Sequence, residues 1–214
     1  MNNTPKYKEA LLLIEAGKYP EAIALLTNLL EMEPNTATIY EARGMSFRMI
    51  AGEAFETATR EQNFQKSLED YQKVLSLNPN SARSLAAIGE ILVSSNRKEE
   101  ALPYLEKAVR IDARNDRAWL FLGMSRGTNN TEQAIKDITE AILLDSKKPL
   151  YFTIRANAFS KTGQYNRAIE DLTSAIKLEP ENSEHYYFRA RLYKKTGHED
   201  LAKIDEEFSE KYDE

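Results

Sequence analysis

The chain has 214 residues, 42% apolar and 29% charged, with eight glycines, seven prolines and no cysteine. This allows one or two compact domains or one elongated array, and it excludes disulfides, cysteine-ligated zinc and cysteine nucleophiles. The net charge of −5 is unevenly placed: residues 199–214 hold eight acids and two lysines, so residues 1–198 come out near +1, a poor footprint for nucleic acid.

The first apolar run, Leu11 to Ile14, is too short for a signal peptide or a membrane span. No membrane contact is expected, and a cytoplasmic location is the default, although a chain whose leader had been removed would look the same. Residues 5–17 and 20–33 read as two helices joined at Gly17–Tyr19, with Pro20 at the first helical position and a stop at Glu33–Asn35. A third helix covers 36–51, with Tyr40, Gly44 and Phe47 three and four apart. Residues 52–63 are an irregular insertion that reads as a lengthened helix pair or, failing that, a protruding loop; Phe55 and Phe64 are its candidate exposed aromatics.

Helix 64–77 ends at Asn78–Asn80. Helices follow at 81–94 and at 98–111, where Pro103 predicts a distorted first turn. The only tryptophan, Trp119, lies in a helix over 117–124, and a link at 127–130 leads to helix 131–144. Helix 150–161 pairs with the stretch from Ser160 to Asn182. A final pair starts at Ser183, and its last helix, 199–212, is largely acidic. That acidic end reads as a solvated, capping helix; a helix that docks on another protein is the alternative.

Gly163, Tyr165, Ala168, Ala175 and Pro180 stand at offsets 0, 2, 5, 12 and 17, and Gly17, Tyr19, Ala22, Leu29 and Pro34 repeat those offsets. Ala113 follows Pro79 by 34 residues, whereas Pro79 follows Pro34 by 45, which leaves an insertion of 11. Six helix pairs result: 3–36, 37–80 with the insertion at 52–63, 81–114, 115–147, 148–182 and 183–214, a single array over 1–214. The pattern resembles the tetratricopeptide repeat. Its tryptophan, leucine and glycine positions are filled by Trp119, Leu122 and Gly123 in the fourth pair. Its second-helix alanine is Ala22, Ala101, Ala134, Ala168 and Ala202, with Ser67 as a variant. Its closing proline is Pro34, Pro79 and Pro180, with Ala113 and Ser146 as departures.

The resemblance implies an all-α fold, a right-handed superhelical solenoid of antiparallel helix pairs, with the first helices lining a concave face that holds a peptide segment. Carried onto this sequence, the groove positions are Met45, Arg48, Met49, Arg83, Glu90, Arg117, Leu120, Met124, Thr153, Asn157, Tyr187 and Arg191, with Val93, Lys161, Lys194 and Lys195 beside them. Methionine adapts to varied ligands and arginine grips carboxylates, so the expected ligand carries acidic and apolar residues. Some members of the family clamp the acidic tails of chaperones with Lys, Asn, Asn, Lys and Arg. Here Thr153, Phe188, Ala87 and Phe121 occupy positions of that set, so this clamp is not expected.

No catalytic, metal or cofactor residues stand out. His185 and His198 are thirteen apart and read as surface residues. The acid pairs Glu69/Asp70 and Glu170/Asp171 read as solvated helix faces, and phosphate-loop and zinc-protease motifs are absent. The leading expectation is a non-catalytic adaptor or scaffold binding a protein or peptide. A self-associating structural subunit and a regulatory component of a larger complex are the alternatives, and the oligomeric state is left open.

Overall fold

The computed structural model describes residues 4–127 and 129–213. The outermost residues of the first and last predicted pairs, and Thr128 of the 127–130 link, therefore lie outside the described residues. Twelve helices and no strand occur among the described residues, in two compact units, Met1–Asp112 and Ala113–Glu214. Among these residues, no helix is long and apolar enough to cross a membrane.

The first unit holds α1 (Pro5–Glu15), α2 (Tyr19–Met32), α3 (Ala37–Glu53), α4 (Thr57–Leu77), α5 (Ala82–Ser94) and α6 (Lys98–Ile111). Each packs on the next, and α1 also reaches α3. The second unit holds α7 (Asp116–Arg126), α8 (Thr131–Leu144), α9 (Pro149–Lys161), α10 (Tyr165–Leu178), α11 (Ser183–Lys195) and α12 (Glu199–Tyr212), again packed in succession. The insertion is helical. It lengthens α3 and starts α4 at Thr57, so that 54–56 form a short turn carrying a fully exposed Phe55, while Phe64 is half-buried. The helix α6 runs unbroken through Pro103.

Local chemistry sets the helix boundaries. Asn115 and Asn130 accept the N–H groups of Ala118 at 2.9 Å and Gln133 at 3.1 Å, capping α7 and α8. Among the described residues, the turn inside four of the pairs takes a left-handed residue. Gly163 supplies it at φ 74°, and in the third pair Asn96 takes the same conformation at φ 59°. Close approach within a pair needs glycine too. A Cβ on Gly89 would lie 2.4 Å from Leu105 Cγ, and one on Gly123 would lie 2.5 Å from Ile138 Cγ1.

In three of the pairs the tryptophan and proline positions of the repeat are joined by a hydrogen bond. Trp119 Nε1 donates to the carbonyl of Ala113 at 3.0 Å. The Tyr40 hydroxyl donates to the Pro34 carbonyl at 3.1 Å, and the Tyr186 hydroxyl to the Pro180 carbonyl at 2.9 Å. The acceptor is backbone, so Ala113 serves as well as proline.

Two sequence expectations are corrected. Asp70 and Asp171 are buried rather than solvated, each in a bidentate pair with an arginine of the first helix of its own pair. At Asp70 burial raises the carboxyl pKa, and the hydrogen bonds from Arg43 offset this only in part. His185 is only 4% exposed. Its Nε2 lies 3.2 Å from Glu179 Oε2 and its Nδ1 3.4 Å from Thr153 Oγ1, whereas His198 is exposed.

Candidate functional site

In the first unit, the predicted groove residues are carried by α3 and α5. Arg48 and Glu90 are half-buried and bond each other, Nη1 to Oε1 at 2.7 Å, so they tie the two helices together. Arg83, with 81% of its side chain exposed, lies 3.6 Å from Glu41. Met45 is exposed and Met49 half-buried. Val93 is buried. Tyr71 sits under Arg48, and its own burial pushes its phenol up to about 12, with the guanidinium pulling the other way.

In the second unit the predicted residues divide. Leu120 is not a groove residue. It is 2% exposed and packs with Ile138, Ala141, Ile142 and Tyr151, because its turn of α7 faces α8 and α9. Met124 packs against the same cluster, while Arg117 is exposed with its guanidinium 6.0 Å from the Phe121 ring centre.

Thr153, Asn157 and Arg191 do converge. They line a groove of about 280 Å³ between α9 and α11, floored by Leu172 of α10 and walled by Ile154, Ala156, Ser160, Phe188, Leu192 and Lys195. Helical spacing explains the set: Thr153, Asn157 and Ser160 share one stripe of α9, and Phe188, Arg191, Leu192 and Lys195 share one stripe of α11. Ser160 and Phe188 were legible from that spacing. Leu172 was not, because it comes from a second helix. Tyr187 adjoins the rim, half-exposed, with Arg191 5.6 Å from its ring centre and Phe188 edge-on at 5.5 Å. Lys194 is turned away and pairs with Glu206, and Lys161 is exposed.

The electrostatics of this groove are one-sided. No carboxylate is among its lining residues, and neither Arg191 nor Lys195 has an ion-pair partner among the described residues. Lys195 instead lies 5.2 Å from the Tyr165 ring centre. Asn157 is exposed and makes no side-chain hydrogen bond among the described residues. The Thr153 hydroxyl donates to the Pro149 carbonyl at 3.3 Å and lies 3.4 Å from His185 Nδ1. Two cations, an amide and apolar walls suit a carboxylate beside a bulky apolar side chain.

Antiparallel helix pairs at a 34-residue spacing, with a cleft between successive first helices, define an all-α helical-repeat protein. Sequence models of the tetratricopeptide repeat match residues 58–124 in one form and residues 7–58 and 155–202 in another. The chain belongs to the tetratricopeptide repeat family. Proteins of this family generally mediate protein–protein interaction and act as scaffolds. No curated protein is similar enough in sequence to match it.

Several solved structures share the fold. PilW, described as a widely conserved type IV pilus biogenesis factor, is similar with a TM-score of 0.78 at 18% identity, over 94% of this chain and 88% of that one. PilF of Pseudomonas aeruginosa is similar with a TM-score of 0.76 at 21% identity, over 94% and 86%. YrrB, described as a TPR protein with an unusual peptide-binding site, has a TM-score of 0.63 at 20% identity, over 84% and 87%.

Proposed function

We propose that the chain is a non-catalytic adaptor that binds a peptide segment of a partner protein, with the α9–α11 groove as its principal site. The observation that carries this reading is the pairing of Arg191 and Lys195, two cations without a carboxylate partner among the described residues, with the apolar surface of Ile154, Phe188 and Leu192 in one cleft. An uncompensated cation beside apolar surface favours a ligand that brings the missing charge and buries the surface. The preferred segment therefore has an acidic residue next to a bulky apolar one. Asn157 is placed to bond the backbone of that segment. On α3 and α5, exposed Met45 and Arg83 add an apolar side chain and a cation in the first unit, although Arg83 already has Glu41 beside it at 3.6 Å. The description of YrrB as a protein with a peptide-binding site agrees with this reading.

A displayed random-peptide library, panned on the whole chain, tests it. Enriched peptides should combine Asp or Glu with Phe, Leu, Ile or Met, and their affinity should fall at least about tenfold on Arg191→Glu/Lys195→Glu. No enrichment, or equal binding to that variant, would overturn the assignment of the groove.

A further inference from the structure

The helix α12 departs from the other second helices in a specific way. Ala202, Ala168 and Ala134 occupy one register, 34 residues apart and all buried. In that register α8 has a half-buried Gln133, bonded to Asp137, and an exposed Lys136, and α10 has the exposed Arg167 and Glu170, so both positions are polar. At the same two positions α12 has Leu201 and Ile204, 43% and 48% exposed. Phe208, one turn further on, is 38% exposed although it stacks on Tyr186 at 5.2 Å.

This stripe is not the surface on which a further repeat would stack. Ile169 and Leu172 join α10 to Leu192 of α11, and α12 carries Lys203 and Glu206 at the corresponding positions. The stacking face of α12 has become polar, and its outer face has become apolar. Beside the stripe stand Asp200 and Glu207, both exposed and both without an ion-pair partner among the described residues.

The groove between α9 and α11 has the opposite character: apolar walls, Arg191 and Lys195, and no acid. We propose that the chain self-associates by seating the Leu201–Ile204–Phe208 stripe of one copy, with its acidic flank, in the α9–α11 groove of a second copy. This rests on reading that groove as a binding site. The stripe cannot fold back into its own groove, because Arg189–Asp205 and Tyr186–Phe208 hold α12 on α11. Arg191 and Lys195 stand one turn apart, and their long side chains reach the two acids across the apolar contact. The two surfaces differ, so the contact either closes as a reciprocal pair or propagates head to tail.

The test is light scattering of the whole chain from low micromolar to sub-millimolar concentration. The mass should rise with concentration, and the association should weaken with added salt. Arg191→Glu/Lys195→Glu and, separately, Asp200→Lys/Glu207→Lys should each weaken association at least about tenfold. Mixing those two variants should restore it, and the circular dichroism of each should match the parent. Leu201→Ser/Ile204→Ser should abolish it. A chain that stays monomeric throughout, or whose assembly survives both charge reversals, would overturn the proposal. Peptide selection separates the two readings. If the chain is monomeric but selected acidic peptides still bind through Arg191 and Lys195, self-docking fails and the adaptor reading stands.

Discussion

Arg155 and Asp171 stand sixteen residues apart on the two helices of one pair and close a bidentate ion pair, Nε to Oδ2 at 2.8 Å and Nη2 to Oδ1 at 2.7 Å. Arg189 and Asp205 repeat it at the same spacing. Each arginine also donates Nη1 sixteen residues upstream, to Thr139 at 3.1 Å and Thr173 at 2.9 Å. Arg43 does the same with Thr27 and Asp70, except that Asp70 follows at 27 residues, the sixteen lengthened by the insertion of eleven. One guanidinium thus pins the second helices of two neighbouring pairs.

Breaking such a pin from one side should be costly. Arg155→Met leaves Asp171 buried without its partner and is expected to lower stability by about 3 kcal/mol. Arg155→Met/Asp171→Leu should recover most of that loss, since burial of the carboxylate is itself unfavourable. Urea denaturation of the two variants and the parent checks the order.

The glycines divide into packed and open positions. Gly123→Ala forces a methyl against Ile138 and the Ala134 carbonyl, 3.0 Å away, and should cost about 1–3 kcal/mol. Gly52→Ala, inside α3 with nothing within 4 Å, should stabilise by about 0.5–1 kcal/mol. Thermal melts should move in opposite directions.

Tyr71 links stability to alkaline pH. Its phenol is pushed from the usual 10.0 to about 12 by burial, so the folded state holds that proton more tightly than the unfolded state. The contribution is fully present below pH 10 and is lost as pH rises through about 12. Tyr151 is raised further, by burial and by its bond to Asp116. Tyrosinate absorbance should show a late fraction that titrates together with unfolding, and Tyr71→Phe should reduce it.

Leu120 and Met45 were equivalent as groove candidates but should respond differently. Leu120→Ala empties a site in a closed cluster and should cost about 2–5 kcal/mol. Met45→Ala, on an exposed face, should change stability by less than about 0.5 kcal/mol. Denaturation curves distinguish the two.

Most of the fold was legible because its signals are local. Apolar residues three and four apart mark each helix, Pro34 and Pro79 close pairs, and Gly17 and Gly163 turn them. Asn96 does the work of those glycines in the third pair and stands five residues before Ala101, as Gly163 stands before Ala168. The groove was legible in part. Thr153, Asn157 and Arg191 were found from their places in the repeat, but Leu172 enters from another helix.

The sequence by itself determined the repeat: its period, its helix pairs and the small residues that let them approach. Only the tertiary structure decided which polar side chains are buried. Asp70, Asp171 and His185 look like surface residues because their partners, Arg43, Arg155 and Thr153, lie on other helices. It also turned Leu120 inward and rotated the apolar face of α12 outward. A helical period fixes which residues share a face, but the rotation of each helix against its neighbours decides what that face meets.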